Sequence, residues 1–283
     1  MAKNIILYNP LANNKRGFDA ANVASQYLFG ETDLIDITGI EDIYSYIEGT
    51  SAETKLYIAG GDGTINRLVN ILNGRTLTHE VYYYAAGSGN DFRADVIGES
   101  EDKFILLNPY LTNLPRVTVN GETMYFINGI GYGIDGYCCE VGDKQKAESD
   151  RPVNYAGIAI KGLLFHFKPR NATVTVDGVT KTFRKVWLAP SMKGRFYGGG
   201  MQVAPRQDRL EKSGLLSVVV MYGSGKLKTL CVFPSIFKGR HVSHREMVEV
   251  MTGHEITVKF DSPCALQVDG ETILNVTEYT VRA

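Results

Sequence analysis

With 283 residues the chain is longer than one typical domain, so two domains are the natural expectation. Its 44% hydrophobic and 22% charged residues are an ordinary globular balance and exclude a disordered chain. Thirty Lys and Arg against 31 Asp and Glu leave a net charge of −1, which excludes a molecule-wide basic field, so no nucleic-acid partner is expected. Asn4 to Tyr8 reads as a strand, followed by a helix from about Asp19 to Phe29, a strand at Leu34 to Ile37 and a helix at Ile40 to Glu48. Leu56 to Ala59, a helix from Thr64, Val81 to Ala86 and a helix near Lys103 continue the rhythm, which is that of a doubly wound α/β sheet. In such sheets ligands bind outside the carboxyl ends of the strands, where Asn9-Pro10, Gly60 to Thr64 and Gly87 to Asn90 fall.

After Pro115 the pattern changes to short strands joined by Asn120-Gly121 and Asp177-Gly178, pairs suited to tight hairpins. An all-β second domain is expected, interrupted by helical stretches at Tyr155 to Phe167 and Lys226 to Lys238. Strands at Glu255 to Phe260, Ala265 to Val268 and Tyr279 to Arg282 close the chain. The five-residue apolar run before Asn9-Pro10 is shorter than the roughly 7 to 15 residues of a signal-peptide core. No stretch approaches the roughly 18 apolar residues that span a bilayer, so no transmembrane segment is expected and any membrane contact is peripheral. Cys138, Cys139, Cys231 and Cys264 form no C-x-x-C pair and read as reduced core thiols of a cytoplasmic protein.

The most informative segment is Leu56 to Asn70, LYIAGGDGTINRLVN. A strand leads into Gly60-Gly61-Asp62-Gly63-Thr64, and a helix with apolar Ile65, Leu68, Val69 and Leu72 follows. Glycines let backbone N–H groups and the helix N-terminus approach a phosphate, and Thr64 either caps the helix or donates to a phosphate oxygen. An acid inside such an anion site points to a proton or a magnesium ion; the structural alternative makes Asp62 a cap of its own helix. A second loop, Tyr84 to Phe92, repeats the plan, with Gly87, Ser88, Gly89 and Asn90 placed for phosphate or base edges and Asp91 as a further carboxylate. Asn13, Asn14, Lys15 and Arg16 stand beside them as amides and cations, or as a solvated loop.

Asn9-Pro10, Gly60-Gly61-Asp62-Gly63-Thr64 and Gly87-Ser88-Gly89-Asn90-Asp91-Phe92 resemble the motifs of the diacylglycerol kinase catalytic domain, particularly the soluble bacterial lipid kinases, which are similar to sphingosine and ceramide kinases. Asn128 to Asp135, Tyr197 to Pro205, Lys238 to His241 and Gln267 to Glu271 extend the resemblance over nearly the whole chain. It implies an ATP- and magnesium-dependent transfer of the γ-phosphoryl group to a lipid hydroxyl, most simply diacylglycerol giving phosphatidic acid. The fold it implies is an NAD kinase- or phosphofructokinase-like α/β domain at 1–115 plus 272–283, with a β-sandwich lipid-substrate domain at 116–271.

By the same resemblance Asp62 and Glu271 are the catalytic acids, either one being the base. Asn9, Pro10, Gly60, Gly61, Gly63, Thr64, Gly87, Ser88, Gly89 and Asn90 would hold nucleotide. Asp91, Asp135, Tyr197 and Gly199 would meet the lipid. A structural magnesium ion would use Asp208, Glu211 and Leu215, although Glu211-Lys212-Ser213-Gly214 departs from the family's Asp-Asp-Gly. Arg67 replaces the usual Glu of the glycine-motif helix, and Arg116 to Val119 lacks the Asp common there. Glu271 after Asp269-Gly270 also reads as a plain hairpin position. Two other functions stay open: an NAD kinase-like small-metabolite kinase, and a nucleotide- or lipid-binding regulator with weakened turnover.

Lys238, Arg240, His241, His244 and Arg245 beside Val232, Phe233, Ile236 and Phe237 make a basic and aromatic mix suited to an anionic lipid surface. The lone Trp187 reads as core. A homodimer stays open.

Overall fold

The computed structural model describes residues 3–148 and 153–283, with the side chains of Asn13, Asn14 and Ala156 outside the description. The chain divides between Leu114 and Pro115 into two compact units. In the first, β1 (Asn4–Tyr8), β2 (Thr32–Asp36), β3 (Lys55–Gly60), β4 (Val81–Ala85) and β5 (Phe104–Leu106) form a sheet in the order β2-β1-β3-β4-β5. The first four pair in parallel, joined by helices α1 (Ala12–Lys15), α2 (Gly17–Ser25), α3 (Ile43–Glu48) and α4 (Asp62–Leu72); α5 (Asp91–Val96) follows β4.

Strand alternation sends Ile6, Tyr57 and Ala59 to the face covered by Ala21 and Ala24 of α2, so Leu7, Leu56 and Ile58 point to the other face. α4 buries Ile65, Leu68, Val69 and Leu72 on one stripe and stops at Asn73, whose left-handed φ of 48° ends the helix. The helix expected near Lys103 is instead the antiparallel edge strand β5. Phe104 packs against Tyr57 and Tyr84, with ring centroids 4.9 and 5.7 Å apart, and an aromatic side chain of that size gains more there than in an exposed helical turn.

The second unit is a ten-stranded β-sandwich. Its strands are β6 (Arg116–Val119), β7 (Glu122–Tyr125), β8 (Gly129–Tyr132), β9 (Arg170–Val176), β10 (Val179–Val186), β11 (Ser191–Met192), β12 (Leu216–Met221), β13 (Val248–Gly253), β14 (Glu255–Val268) and β15 (Glu271–Arg282). Long strand β14 pairs with β9 through its first half and with β8 through its second, and β15 runs along its other edge. The hairpins at Asn120-Gly121 and Asp177-Gly178 carry the positive φ values their residues favour, 50° and 83° and then 46° and 83°.

β12 is buried on both faces. Leu216, Val218 and Val220 join Val117, Val174 and Val258 in the sandwich core. Val219 and Met221 face a second core with Trp187, which is buried as expected, and its ring N–H donates to the Ser224 carbonyl at 3.1 Å. That second core is roofed by α6 (Ile134–Glu148), α7 (Tyr155–Lys161) with its π-turn at Gly162–His166, and α8 (Lys226–Val232).

Three expectations change here. Residues 272–283 do not return to the first unit: they are β15, paired with β14 and β6 inside the second sheet. The surface expected at Lys238 to Arg245 has lost most of its apolar part to the core, because Val232, Phe233 and Ile236 are buried. His241 is fully buried beside the Val203 carbonyl, and burial lowers it to about 4. Only Phe237 of that set is exposed. Of the four free cysteines, Cys231 is exposed rather than core.

Helix α6 was not visible as a helix, because its buried stripe is made of Ile134, Asp135, Gly136, Cys138 and Gly142 rather than large apolar residues. Gly136 lets it lie on β14, since a Cβ there would stand 2.0 Å from the Ala265 carbonyl oxygen. Gly136→Ala, which in an open helix would stabilise by about 0.5–1 kcal/mol, is therefore expected to destabilise the protein by about 2 kcal/mol. The urea-denaturation midpoint reads this, and an unchanged or raised midpoint contradicts the packing.

Candidate functional site

The parallel register sets Tyr8 beside Ala59 and Gly60 beside Ala85, so the exits of β1, β3 and β4 are neighbours. The Asn9 N–H donates to the Ala59 carbonyl at 3.3 Å, and the Ala86 N–H to the Gly60 carbonyl at 2.7 Å. The same Gly60 carbonyl accepts the buried Tyr83 hydroxyl at 2.9 Å. Side chains are excluded where the loops meet: a Cβ on Gly87 would lie 2.6 Å from Gly61 Cα, and one on Gly60 only 2.3 Å from Thr64 Oγ1. The two glycine turns thus touch backbone to backbone.

Asp62 holds them together. Its two carboxylate oxygens accept the Asp91 N–H at 3.0 Å and the Phe92 N–H at 2.9 Å, which are first-turn donors of α5. A helix N-terminus favours an anion there, so folding does explain this acid, as a cap on the next helix rather than on its own. Asn90, at a left-handed φ of 53°, spends both amide atoms on Gly87, accepting from its N–H and donating to its carbonyl at 2.9 Å each. It shapes the loop, leaving Ser88 and Gly89 exposed at the tip.

Thr64 is buried and accepts from Asn9 Nδ2 at 3.4 Å, while Asn9 Oδ1 accepts the Leu11 N–H at 3.0 Å. Pro10 is half-buried at the same turn, and Asp91 is buried. Gly63 is exposed with open space above it, and α4 starts at Gly61 with no side chain capping its first turn. The exposed backbone around Gly63, Ser88 and Gly89 is the part of these loops that an anion can reach.

In the second unit Asp135 and Tyr197, both expected to meet the lipid, come together. Both are buried, with the Tyr197 hydroxyl beside the Asp135 carboxyl, and neither side chain has a well-formed hydrogen bond to a described residue. Gly131 makes the room, since a Cβ on it would lie 1.7 Å from Asp135 Oδ2. Burial, and then the carboxyl, pushes the Tyr197 hydroxyl well above its ordinary range. Gly199 sits outside on the exposed turn Gly198 to Gly200, whose φ values of 64°, 83° and 104° require glycine.

The expected structural magnesium site finds its donors engaged by the chain itself. Asp208 accepts the Leu210 N–H at 2.9 Å, and Glu211 accepts the N–H groups of Ser213 and Leu215 at 2.9 and 3.3 Å and the Ser213 hydroxyl. The Leu215 carbonyl is taken by Gln207 Nε2 at 2.8 Å. Among the described residues no three His, Cys, Asp or Glu side chains form a group that could hold a metal ion.

Two residues outside the expected set prove central. Asp269 accepts the N–H groups of Ile127, Asn128 and Gly129 at 2.6 to 2.9 Å, and buried Arg209 donates to the Ile127 carbonyl and to Asn128 Oδ1. Together they clamp the start of the NGIGYGID segment. The signal for Asp269 was its Asp-Gly pair, which reads only as a turn; nothing in the sequence marks Arg209. Glu271 begins β15 just after that turn and is exposed.

Burial raises Asp135 to about 6 from its ordinary 3.8. A raised acid contributes stability in full below 3.8 and loses it as pH rises through 6. The stability of the natural protein relative to Asp135→Asn is therefore expected to fall by about 3 kcal/mol between about pH 4 and pH 7. Urea titrations of both proteins across that range measure it, and a pH-independent difference contradicts the buried acid.

Residues 3–108 match the diacylglycerol kinase catalytic domain, and residues 128–281 match the YegS C-terminal NAD kinase beta sandwich-like domain. The chain is 26% identical over 278 residues to a diacylglycerol kinase of Mycobacterium tuberculosis, covering 91% of this chain and 84% of that protein. It is 26% identical over 235 residues to the Bacillus subtilis protein named "Putative lipid kinase YtlR", covering 77% of this chain and 74% of that one. The crystal structure of "a putative diacylglycerol kinase from Bacillus anthracis str. Sterne" shares the fold, with a TM-score of 0.67 at 17% identity over 99% of this chain and 92% of that one. Touching glycine turns in the first unit, a β-sandwich second unit and both domain matches in this order give one conclusion: the chain belongs to the diacylglycerol kinase catalytic-domain family, in the branch with a YegS-type C-terminal domain.

Proposed function

We propose that the protein transfers the γ-phosphoryl group of ATP to the hydroxyl of a lipid alcohol, with diacylglycerol as acceptor and phosphatidic acid as product. The observation that carries this reading is the backbone contact of Gly61 with Gly87 at the ends of adjacent parallel strands, in a chain of this family. Such an arrangement offers peptide N–H groups and an uncapped helix start to a polyphosphate. Gly60, Gly61, Gly63 and Thr64 would take one stretch of the nucleotide and Gly87, Ser88 and Gly89 another, with Asn9, Pro10 and Asn90 fixing the loops.

A magnesium ion bound with the nucleotide would neutralise phosphate charge. The residues bind, align and neutralise, which is most of what phosphoryl transfer requires.

Between the two candidate bases we assign the role to Glu271. Asp62 has both oxygens occupied by the Asp91 and Phe92 N–H groups and is committed to holding α5 in place. Glu271 is exposed, and its carboxyl has no hydrogen bond to a described residue. Asp135 and Tyr197 with the Gly198 to Gly200 turn are the lipid-facing group in this reading. No helix of the described residues is long and apolar enough to cross a membrane, so the lipid would be met from its surface.

The test is magnesium-dependent transfer of labelled γ-phosphate from ATP to dispersed diacylglycerol, sphingosine, ceramide and NAD. Labelled phosphatidic acid is expected, and Glu271→Gln is expected to lower turnover by about 100-fold or more without changing the ATP dissociation constant. Labelled NAD, or no labelled acceptor despite measurable ATP binding, would overturn the reading.

A further inference from the structure

The β14–β15 ladder breaks twice in one place. Lys259 faces Glu278 and Cys264 faces Val276, so residues 260–263 stand opposite residue 277 alone. Beyond that, Cys264 faces Val276 and Leu266 faces Ile273, so Leu274 and Asn275 bulge opposite Ala265, with Asn275 at a left-handed φ of 57°. Asn tolerates that conformation, and bulges re-aim side chains. Instead of closing, the two irregularities open a cavity of about 340 Å³ in the second unit.

Its wall is about half apolar and half polar, with two cationic side chains in the polar part. Tyr137, Phe167 and Leu274 supply ring and alkyl surface, and Leu274 is 52% exposed. Lys168 and Arg170 supply the positive charge, and His166 adds an imidazole beside them. Arg170 is aimed by its neighbours: its Nε donates to Ser262 Oγ at 2.8 Å and its Nη2 to the Pro263 carbonyl at 2.9 Å, so Nη1 stays uncommitted. Lys168 is exposed and has no ion pair with a described residue. The acid on the wall, Glu140, is taken by Lys144 at 2.7 Å. A fixed guanidinium, a free ammonium and an imidazole converging on one concavity match an oxyanion of more than one charge, and the volume lies in the range of small-ligand sites.

We propose that this pocket is a second ligand site, separate from the glycine loops, that binds a phosphate-monoester anion. The apolar wall selects a lipid headgroup with its first acyl carbons over free phosphate.

The test is calorimetry on the full-length protein saturated with a non-hydrolysable ATP analogue, so that the glycine loops are filled. The probes are inorganic phosphate, short-chain phosphatidic acid below its micelle concentration and the matching phosphatidylcholine. Phosphatidic acid is expected to bind, phosphatidylcholine not, and inorganic phosphate about tenfold or more weaker than the phosphatidic acid. Lys168→Glu is expected to weaken phosphatidic acid about tenfold and Leu274→Asn to weaken it while sparing inorganic phosphate, both with unchanged circular dichroism. Phosphatidic acid binding that neither substitution alters would place it elsewhere and overturn the proposal, as would no binding of either anion. Inorganic phosphate binding as tightly as phosphatidic acid would make free phosphate the source and overturn the lipid preference.

Discussion

A strand-to-helix glycine turn is open backbone, and two of them side by side would splay unless something ties them. The tie is the Asp62 carboxylate, which sits in the first turn of α4 and accepts two N–H groups from the first turn of α5. Hydrogen bonds to a charged acceptor are worth about 1.5–3 kcal/mol each, so one side chain sets the spacing of both loops. Gly61 and Gly87 then come into contact because neither carries a Cβ. Asn90 stiffens the second loop from within, and Asn9 reaches Thr64 from the first strand exit. What remains open after these commitments is the exposed backbone at Gly63, Ser88 and Gly89, which the proposed function gives to the nucleotide.

The second unit solves a comparable problem with different residues. Its NGIGYGID segment must pass from a loop into β8 and then into α6, and the N–H groups of Ile127 to Gly129 are met by one carboxylate, Asp269. Arg209 meets the carbonyl side of the same segment. With the segment so fixed, Asp135 is carried to Tyr197 in a buried place, where its charge is costly and burial raises it to about 6. A buried acid without good partners is a poor structural choice, which is why the proposed function assigns it a role beyond folding.

Much of the arrangement could be read from the chain before any coordinates. The alternation of short apolar runs with helical stretches gives the parallel sheet, and glycine turns at strand ends fall where α/β sheets bind ligands. The Asn-Gly and Asp-Gly pairs marked their hairpins, since only residues tolerant of positive φ suit them. What stayed hidden depends on partners distant in sequence. Asp62 looked unexplained by folding because its donors lie 29 and 30 residues away. Helix α6 lacked a visible apolar stripe because glycine and cysteine, not leucine, fit beneath β14. The basic and aromatic run at Val232 to Arg245 reads alike whether its side chains point outward or inward, and here Val232, Phe233, Ile236 and His241 point inward while Phe237 does not.

The central claim is that Asp62 assembles the nucleotide loops before any chemistry occurs, and amide hydrogen exchange at Asp91 and Phe92 with ATP-analogue titration of Asp62→Ala measures it most directly. The account predicts faster exchange at those two amides, by about tenfold or more for the lost charge-assisted bonds, together with weaker nucleotide binding. Unchanged exchange and unchanged binding, with turnover alone abolished, would contradict it and make Asp62 a purely chemical group.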